Sequence, residues 1–514
     1  MPGHLKALVV ILVIATAVFA FAKAPACANS SSVGDFNRRR NLWVAITLVA
    51  FLAHNFWYYI VVAGALLLAV QRHEPNKPAM YFFVLLAIPA IPADIGGMGI
   101  VQILFAIDYV RLLALTVLLP ATLYLWKQPD TERFGRSIPD KLIAGYLILI
   151  PMIMIVETIP FTITLRHGIF YPFIDFFLPY YVASRWLKNF QQIRDSMMAL
   201  WVATLMLGAT LVFESRGWLL YNELAPALGA HWGYGGYLGR GAYLRVSGPV
   251  GHPIHAGYVM AVAIGFYLYL RNLVPKPTAR TLGWGVLIAG LIVPVSRGPW
   301  VGTAAMLLVF IATSPAPAKG FAKLALFGVV AAPLLLSSSI GQEIIDHLPF
   351  VGTVAAENVV ARQRLADASF QVFLENPVFG RYDFVETPEM EALRGIDGLI
   401  DIVNTYVLVG LANGLVGLSL FAGFFLSVIF AIYKSMRTLA DRIDERYVLG
   451  QALISTLLGI LVIIGTVNPI PVSQAIYWSL AGLGVAYARM VASGKIPETA
   501  RAAELPSAIS ETGT

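Results

Sequence analysis

From Leu282 to Ile311 the chain reads LGWGVLIAGLIVPVSRGPWVGTAAMLLVFI and carries a single charge, Arg297. Stretches of this kind recur along all 514 residues, and their recurrence restricts the fold more than any other feature. A backbone in hydrocarbon must satisfy its own amides, which leaves helices and closed barrels. Apolar runs of about 20 residues are helical spans. Hydrophobic residues make up 58% of the chain and charged ones 13%; soluble globules carry about 25% charge. The mean hydropathy is +0.73. The chain therefore reads as an all-α polytopic membrane protein of about 12–14 transmembrane helices. Its net charge of +7 is spread over many short loops, a topology signal and not a nucleic-acid footprint. One cysteine, Cys27, excludes an intramolecular disulfide framework and a cysteine metal site.

After residue 80, apolar segments centre near 81–93, 109–126, 142–159, 169–183, 197–213, 254–270, 282–295, 299–313, 323–338, 402–433, 448–467 and 473–490. A single helix over 282–313 would extend roughly 48 Å, too long for a ~30 Å hydrocarbon core. Pro294, Ser296, Gly298 and Pro299 mark a break, so this run is expected to be a tight hairpin with Arg297 at its tip. Loops 127–141, 184–196, 271–280, 314–323 and 434–446 are basic and fall on one side, the cytoplasmic one by the positive-inside rule. Loops 94–108, 160–168, 214–253, 339–401 and 468–472 then face outward, with the tip at 296–298; 214–253 and 339–401 are the two long ones. Arg297 thus lies on the outer face, joined by Arg216, Arg240 and Arg245. A guanidinium at membrane depth costs about 2.5–3.5 kcal/mol on insertion scales. It is either snorkelling to the interface or gripping an anion such as a lipid-linked phosphate.

Residues 1–41 form an N-terminal helix or a signal-like segment, 42–213 the N-terminal membrane helices, 214–490 a membrane region with the two long loops, and 491–514 a disordered cytoplasmic tail. Leu42–Val70 is one long span or a hairpin about His54-Asn55.

Several polar residues have both a structural and a chemical reading. His252 and His255 suit a helix start or proton transfer; no third ligand accompanies them, so no metal is expected. Gly233–Gly241 is glycine-rich without a Walker lysine and is no nucleotide cradle. Trp218, Tyr221, Trp232, Tyr234, Tyr237 and Tyr243 suit an interfacial belt or sugar stacking. An amphipathic helix is expected over Glu357–Leu374, with Arg362 and Arg364 on it and Val359, Val360, Phe370 and Phe373 apolar, stopped by Asn376-Pro377. Of the carboxylates beyond it (Asp383, Glu386, Glu389, Glu391, Asp397, Asp401), Asp397 and Asp401 lie nearest the next span and are the catalytic candidates. Gly410 and Gly414 form a G-x-x-x-G helix-packing pattern, and Asn404 and Asn413 suit interhelical bonding or a site.

Four pieces occur in an order that resembles the O-antigen ligase and polymerase superfamily of bacterial polysaccharide assembly. They are Arg245-Val-Ser-Gly248 leading into a span, Ser296-Arg297 at an outer hairpin, Arg364 through Asn376-Pro377-Val378-Phe379-Gly380, and Asn404-Thr405-Tyr406 with Gly414-Leu415-Val416-Gly417. The resemblance covers roughly 240–490, and departs from the family at Val403, where ligases carry histidine, and at Tyr382, where a glycine is usual. It implies a multi-pass enzyme of the bacterial inner membrane that moves glycan from undecaprenyl diphosphate to an acceptor hydroxyl at the periplasmic face, with no metal or other cofactor. Arg245 and Arg297 would hold the diphosphate, with Arg364, His252, Asn404 and Tyr406 at the substrate. Its partners would be the lipid-linked oligosaccharide, the glycan acceptor, the bilayer and other polysaccharide-assembly membrane proteins.

With Val403 in place of histidine, the expected member is a polymerase of exopolysaccharide or O-antigen repeats whose base is Asp397, Asp401 or His252. A ligase acting on a lipid or protein acceptor, and a non-catalytic homologue, stay open. A transporter or flippase is the rival from another class, supported by Glu157 and Asp175 in or near spans.

Overall fold

In a computed structural model of the chain, eight helices among the described residues are long and apolar enough to cross a membrane: Gly3–Asn29, Tyr109–Lys127, Ile138–Val156, Phe190–Glu214, Pro253–Leu273, Thr405–Met436, Glu445–Ile464 and Pro471–Ala492. The structure describes all residues except 98, 100–101, 234–235, 241–242, 338–355, 396–399 and 495–514. The protein is an all-α, multi-pass membrane protein. Phe56–Gln71 and Arg297–Ala312 are shorter apolar helices. Polar caps start many of them. Asn55, Asn76 and Asn189 accept first-turn amides, and Ser137 and Asp140 form a reciprocal capping box.

Helix Pro253–Leu270 is the central post, buried along nearly its whole length. Helices Phe190–Glu214, Pro277–Ile292, Arg297–Ala312 and Glu445–Ile464 pack around it. The run 282–313 does break, between Ile292 and Arg297. The two arms touch each other little and lie instead against the central post, so this is an open hairpin and not a tight one. Leu42–Val70 is also broken, into helices Val33–Leu52 and Phe56–Gln71 about His54-Asn55. The first of these runs through the boundary expected at residue 41. Helix Gly3–Asn29 sets Ala7, Ile11, Ala15, Phe19 and Ala22 into the core.

The two ends of the bundle differ in chemistry. One end is stitched by ion pairs. Arg39, 1% exposed, meets Glu74 at 2.6 Å and Asp195 at 2.8 Å, Arg185 meets Asp140 at 2.6 Å, and Arg194 meets Glu445 at 2.8 Å. These cations are thus occupied, as buried charges must be. Arg194 and Glu214 lie at opposite ends of one helix, about 30 Å apart at 1.5 Å per residue, and Glu214 belongs to the other end.

Several expectations give way to backbone chemistry. Segment 81–93 is not a full helix: Lys77–Val84 is helical, and Pro89 and Pro92 then lead into the antiparallel hairpin Ala93–Gly96 with Ile103–Ile107. A second small hairpin pairs Leu238–Arg240 with Tyr243–Arg245. The span expected at 169–183 contains π-helical turns at Thr164–Phe170 and Phe173–Phe177.

The amphipathic helix is present as Ala356–Glu375. It buries Val372 and packs Phe373, while Phe370 stays exposed, and with Phe384, Met390, Ile402 and Leu411 it forms a second small core. Gly414 is not a helix-packing residue. It sits at φ 61°, ψ −164° inside helix Thr405–Met436, a region open to glycine alone. The backbone groups that the kink frees are bonded by the 377–381 turn: the Leu411 carbonyl accepts the Arg381 amide (2.9 Å), and the amides of Leu415 and Val416 donate to the carbonyls of Pro377 (2.9 Å) and Val378 (3.0 Å). A Cβ on Gly414 would strike the Val378 backbone, whereas one on Gly410 would meet only Phe373 at 4.0 Å. Gly414→Ala should therefore destabilise the protein by on the order of 3 kcal/mol, while Gly410→Ala should be neutral or mildly stabilising. Denaturation of the two purified variants checks this; equal losses at both positions would restore the packing reading.

Candidate functional site

The turn 465–470 gathers several helix ends at the other pole. His255 donates Nε2–H to the Asn468 carbonyl at 2.8 Å, Thr405 donates to the Val467 carbonyl at 2.7 Å, and Tyr406 donates its hydroxyl to Leu461 at 2.7 Å. A side chain on Gly298 would collide with Thr466. The helices beginning at Pro253, Arg297, Thr405 and Pro471 therefore all start at this pole. Their first-turn amides carry partial positive charge, which favours anions.

Arg245 closes the strand Tyr243–Arg245 and reaches into this group, donating from its guanidinium to Ser296 Oγ at 3.2 Å. Ser296 is the N-cap residue of helix Arg297–Ala312, yet its hydroxyl does not cap that helix. It donates instead to the Pro294 carbonyl at 3.2 Å. Val295 beside it has φ 49°, a conformation that a β-branched residue adopts only under strain. Arg245 thus bonds the residue that immediately precedes Arg297. Arg362, from helix Ala356–Glu375, lies within electrostatic reach of Arg297, and Arg245 within reach of His252.

The other expected residues are distributed as follows. Arg364 is exposed on the same helix as Arg362. Asp397 lies outside the described residues. Asp401 is exposed ahead of helix Thr405–Met436. Asn404 caps that helix, accepting the amides of Tyr406 (2.9 Å) and Val407 (3.2 Å), and Tyr406 is held by Leu461. Asp383 and Glu391 pair with Arg381 and Arg394, each at 2.6 Å, and the bond to Arg381 holds Asp383 below the usual carboxylate range. Tyr221 is buried, Tyr237 and Tyr243 are exposed, and Tyr234 lies outside the described residues.

The rival's two carboxylates have structural partners. Asp175 meets Arg111 at 3.0 Å, and Glu157 accepts the Tyr382 amide at 2.8 Å. Partial burial raises the pKa of Glu157, which makes it a further acid–base candidate beside the 377–383 turn. Sequence reasoning missed Glu214, whose carboxylate accepts the amides of Leu220 and Gly248. The only sequence signal for it was a carboxylate closing an apolar run.

His252 caps helix Pro253–Leu270 through Nδ1, which accepts the Ile254 amide at 3.3 Å, and its ring meets that of His255 at 5.4 Å. Among the described residues no three His, Cys, Asp or Glu side chains gather as a metal site. Comparison with protein-family models and with curated proteins finds no match for this chain.

Burial, helped by His255 and Arg245, pushes His252 down to about 3. This corrects the expectation of a base titrating near neutrality. The unfolded imidazole takes its proton near pH 6.5, the folded one only near 3, so His252 withdraws stability as pH falls between those values and none above them. His252→Asn keeps a capping acceptor without a titrating group. Its melting temperature should fall less between about pH 6.5 and 4 than that of the wild type, and parallel declines would remove the argument.

Proposed function

We propose that this protein is a glycosyltransferase that uses a polyprenyl-diphosphate-linked glycan and extends it by repeat units. The observation that carries the reading is the bond from Arg245 to Ser296, the residue before Arg297, with Arg362 within reach of Arg297, at the pole where several helices begin. Arg297 and Arg362, within reach of each other, repel, and a bound dianionic headgroup would offset that repulsion. Guanidinium forks match phosphate oxygens bidentately.

In the proposed reaction an acceptor hydroxyl attacks the anomeric carbon of the donor. The bond from that carbon to the diphosphate oxygen breaks, and its electron pair leaves with the diphosphate. The hydroxyl proton passes to a carboxylate, for which Asp397, Asp401 and Glu157 are the candidates. Arg245 and Arg297 would stabilise charge as it builds on the leaving group, the task that fixed dipoles and cations perform best. His252 and Arg364 would flank the headgroup. Asn404 and Tyr406 would hold the helix start that borders it, since their own bonds are structural.

The same reading places this pole at the periplasmic face of a bacterial inner membrane and the ion-paired pole in the cytoplasm, in keeping with the basic loops. It counts about 12–14 crossings, with the eight long apolar helices and the two shorter ones among them. Its partners are the lipid-linked oligosaccharide, a glycan acceptor and neighbouring assembly proteins. Val403, where ligases of the resembled superfamily carry histidine, favours polymerase over ligase. A strain lacking the protein should accumulate single-repeat lipid intermediates if it polymerises, and lipid-linked long chains if it ligates.

The decisive test is the purified chain in liposomes with lipid-linked repeat units. Arg297→Ala should insert normally and lose elongation by a factor on the order of 10²–10³, with Arg297→Lys intermediate. Normal polymer from Arg297→Ala would remove this arginine from the chemistry.

A further inference from the structure

Arg245 stands on a three-residue strand in a loop, and a guanidinium there needs a tether if it is to stay at Ser296. The tether lies just beyond, at Ser247 and Gly248. Glu214, the last residue of helix Phe190–Glu214, is 1% exposed. Its Oε2 accepts the amide of Gly248 at 2.9 Å and its Oε1 the amide of Leu220 at 3.0 Å, while the Ser247 backbone adds a further bond. Gly248 sits at φ 54°, with Leu207 so close that an added Cβ would stand 2.9 Å from its Cδ1. The positive φ turns the Gly248 amide towards Glu214, and the strand just before it carries Arg245 to Ser296.

The placement of Glu214 is unfavourable in itself. A carboxylate at a helix C-terminus faces partial negative charge, and burial strips its water. Among the described residues it is kept there by backbone amides, with no ion pair to a cation. A carboxylate so held is a clamp on the backbone that precedes helix Pro253–Leu270.

We infer that Glu214 is a positioning residue: through Ser247 and Gly248 it orients Arg245 against Ser296 beside Arg297. The inference rests on the reading of this site as a diphosphate grip, and extends it to a residue that touches no substrate.

The test uses the full chain in nanodiscs with Cys27→Ser and a nitroxide on Tyr243→Cys, a position 43% exposed on the same strand. Two variants loosen the clamp from opposite sides. Glu214→Gln replaces one acceptor oxygen by an amide that faces other amides, and Gly248→Ala strains the backbone the clamp holds. Each should raise nitroxide mobility and weaken binding of inorganic pyrophosphate roughly tenfold, as one displaced charge-assisted contact would. The double variant should do little more than either alone. Glu223→Gln, in the same loop, should change neither readout, which separates the clamp from a general loosening. Unchanged mobility in both variants overturns the inference, and so does raised mobility with wild-type pyrophosphate affinity. A wild-type chain that does not bind pyrophosphate overturns the diphosphate reading instead, and the nitroxide then decides the clamp by itself.

Discussion

The turn at 465–470 carries the architecture of the polar end. Its carbonyls at Val467 and Asn468 receive Thr405 and His255, and Thr466 sits where only a glycine at 298 can approach. Three helices that are far apart in the chain are thereby fixed by their first residues. In a low-dielectric interior an unmade bond of this kind costs more than a made one gains, so the register of each helix is tightly set. The place of Ser296, which Arg245 bonds, follows from that register, because Ser296 belongs to one of the three starts.

A second constraint acts on the backbone itself. Helix Thr405–Met436 is interrupted at Gly414, and the 377–381 turn supplies the donors and acceptors that the interruption exposes. Broken helices are tolerated in membranes only where protein or water satisfies the freed groups. Here the Asn-Pro-x-x-Gly turn and the Gly-Leu-x-Gly run are two halves of one contact. The segment 356–402, with its own small core, is thus anchored over the site end, and Arg362 is delivered towards Arg297 as a result.

Buried ion pairs hold one pole together. There, Arg39, Arg185 and Arg194 are each matched by a carboxylate within 2.8 Å, which is how a membrane protein holds charge for structure. At the other, Arg245 bonds Ser296 at the start of helix Arg297–Ala312, and Arg362 lies within electrostatic reach of Arg297. Asp175 and Glu157, the groups that a transporter reading would use, are engaged with Arg111 and the Tyr382 amide.

Composition and hydropathy by themselves determined the class: long apolar runs with few charges have no stable form but membrane helices. Proline and glycine placed the break before Arg297, and Asn376-Pro377 the end of helix Ala356–Glu375, since local backbone chemistry decides such stops. The approach of Arg245 to Ser296 was legible only as an order of motifs. The sequence was misleading where a residue's role depends on what arrives from elsewhere in the chain. Gly414 looked like a packing glycine, Asn404 like a ligand and His252 like a base, but Gly414 forms a kink, and Asn404 and His252 each cap a helix. Glu214 was invisible because its partners, Leu220 and Gly248, are backbone amides, which every residue but proline has. Burial and backbone hydrogen bonds are properties of the assembled chain, so only the tertiary structure could assign these roles.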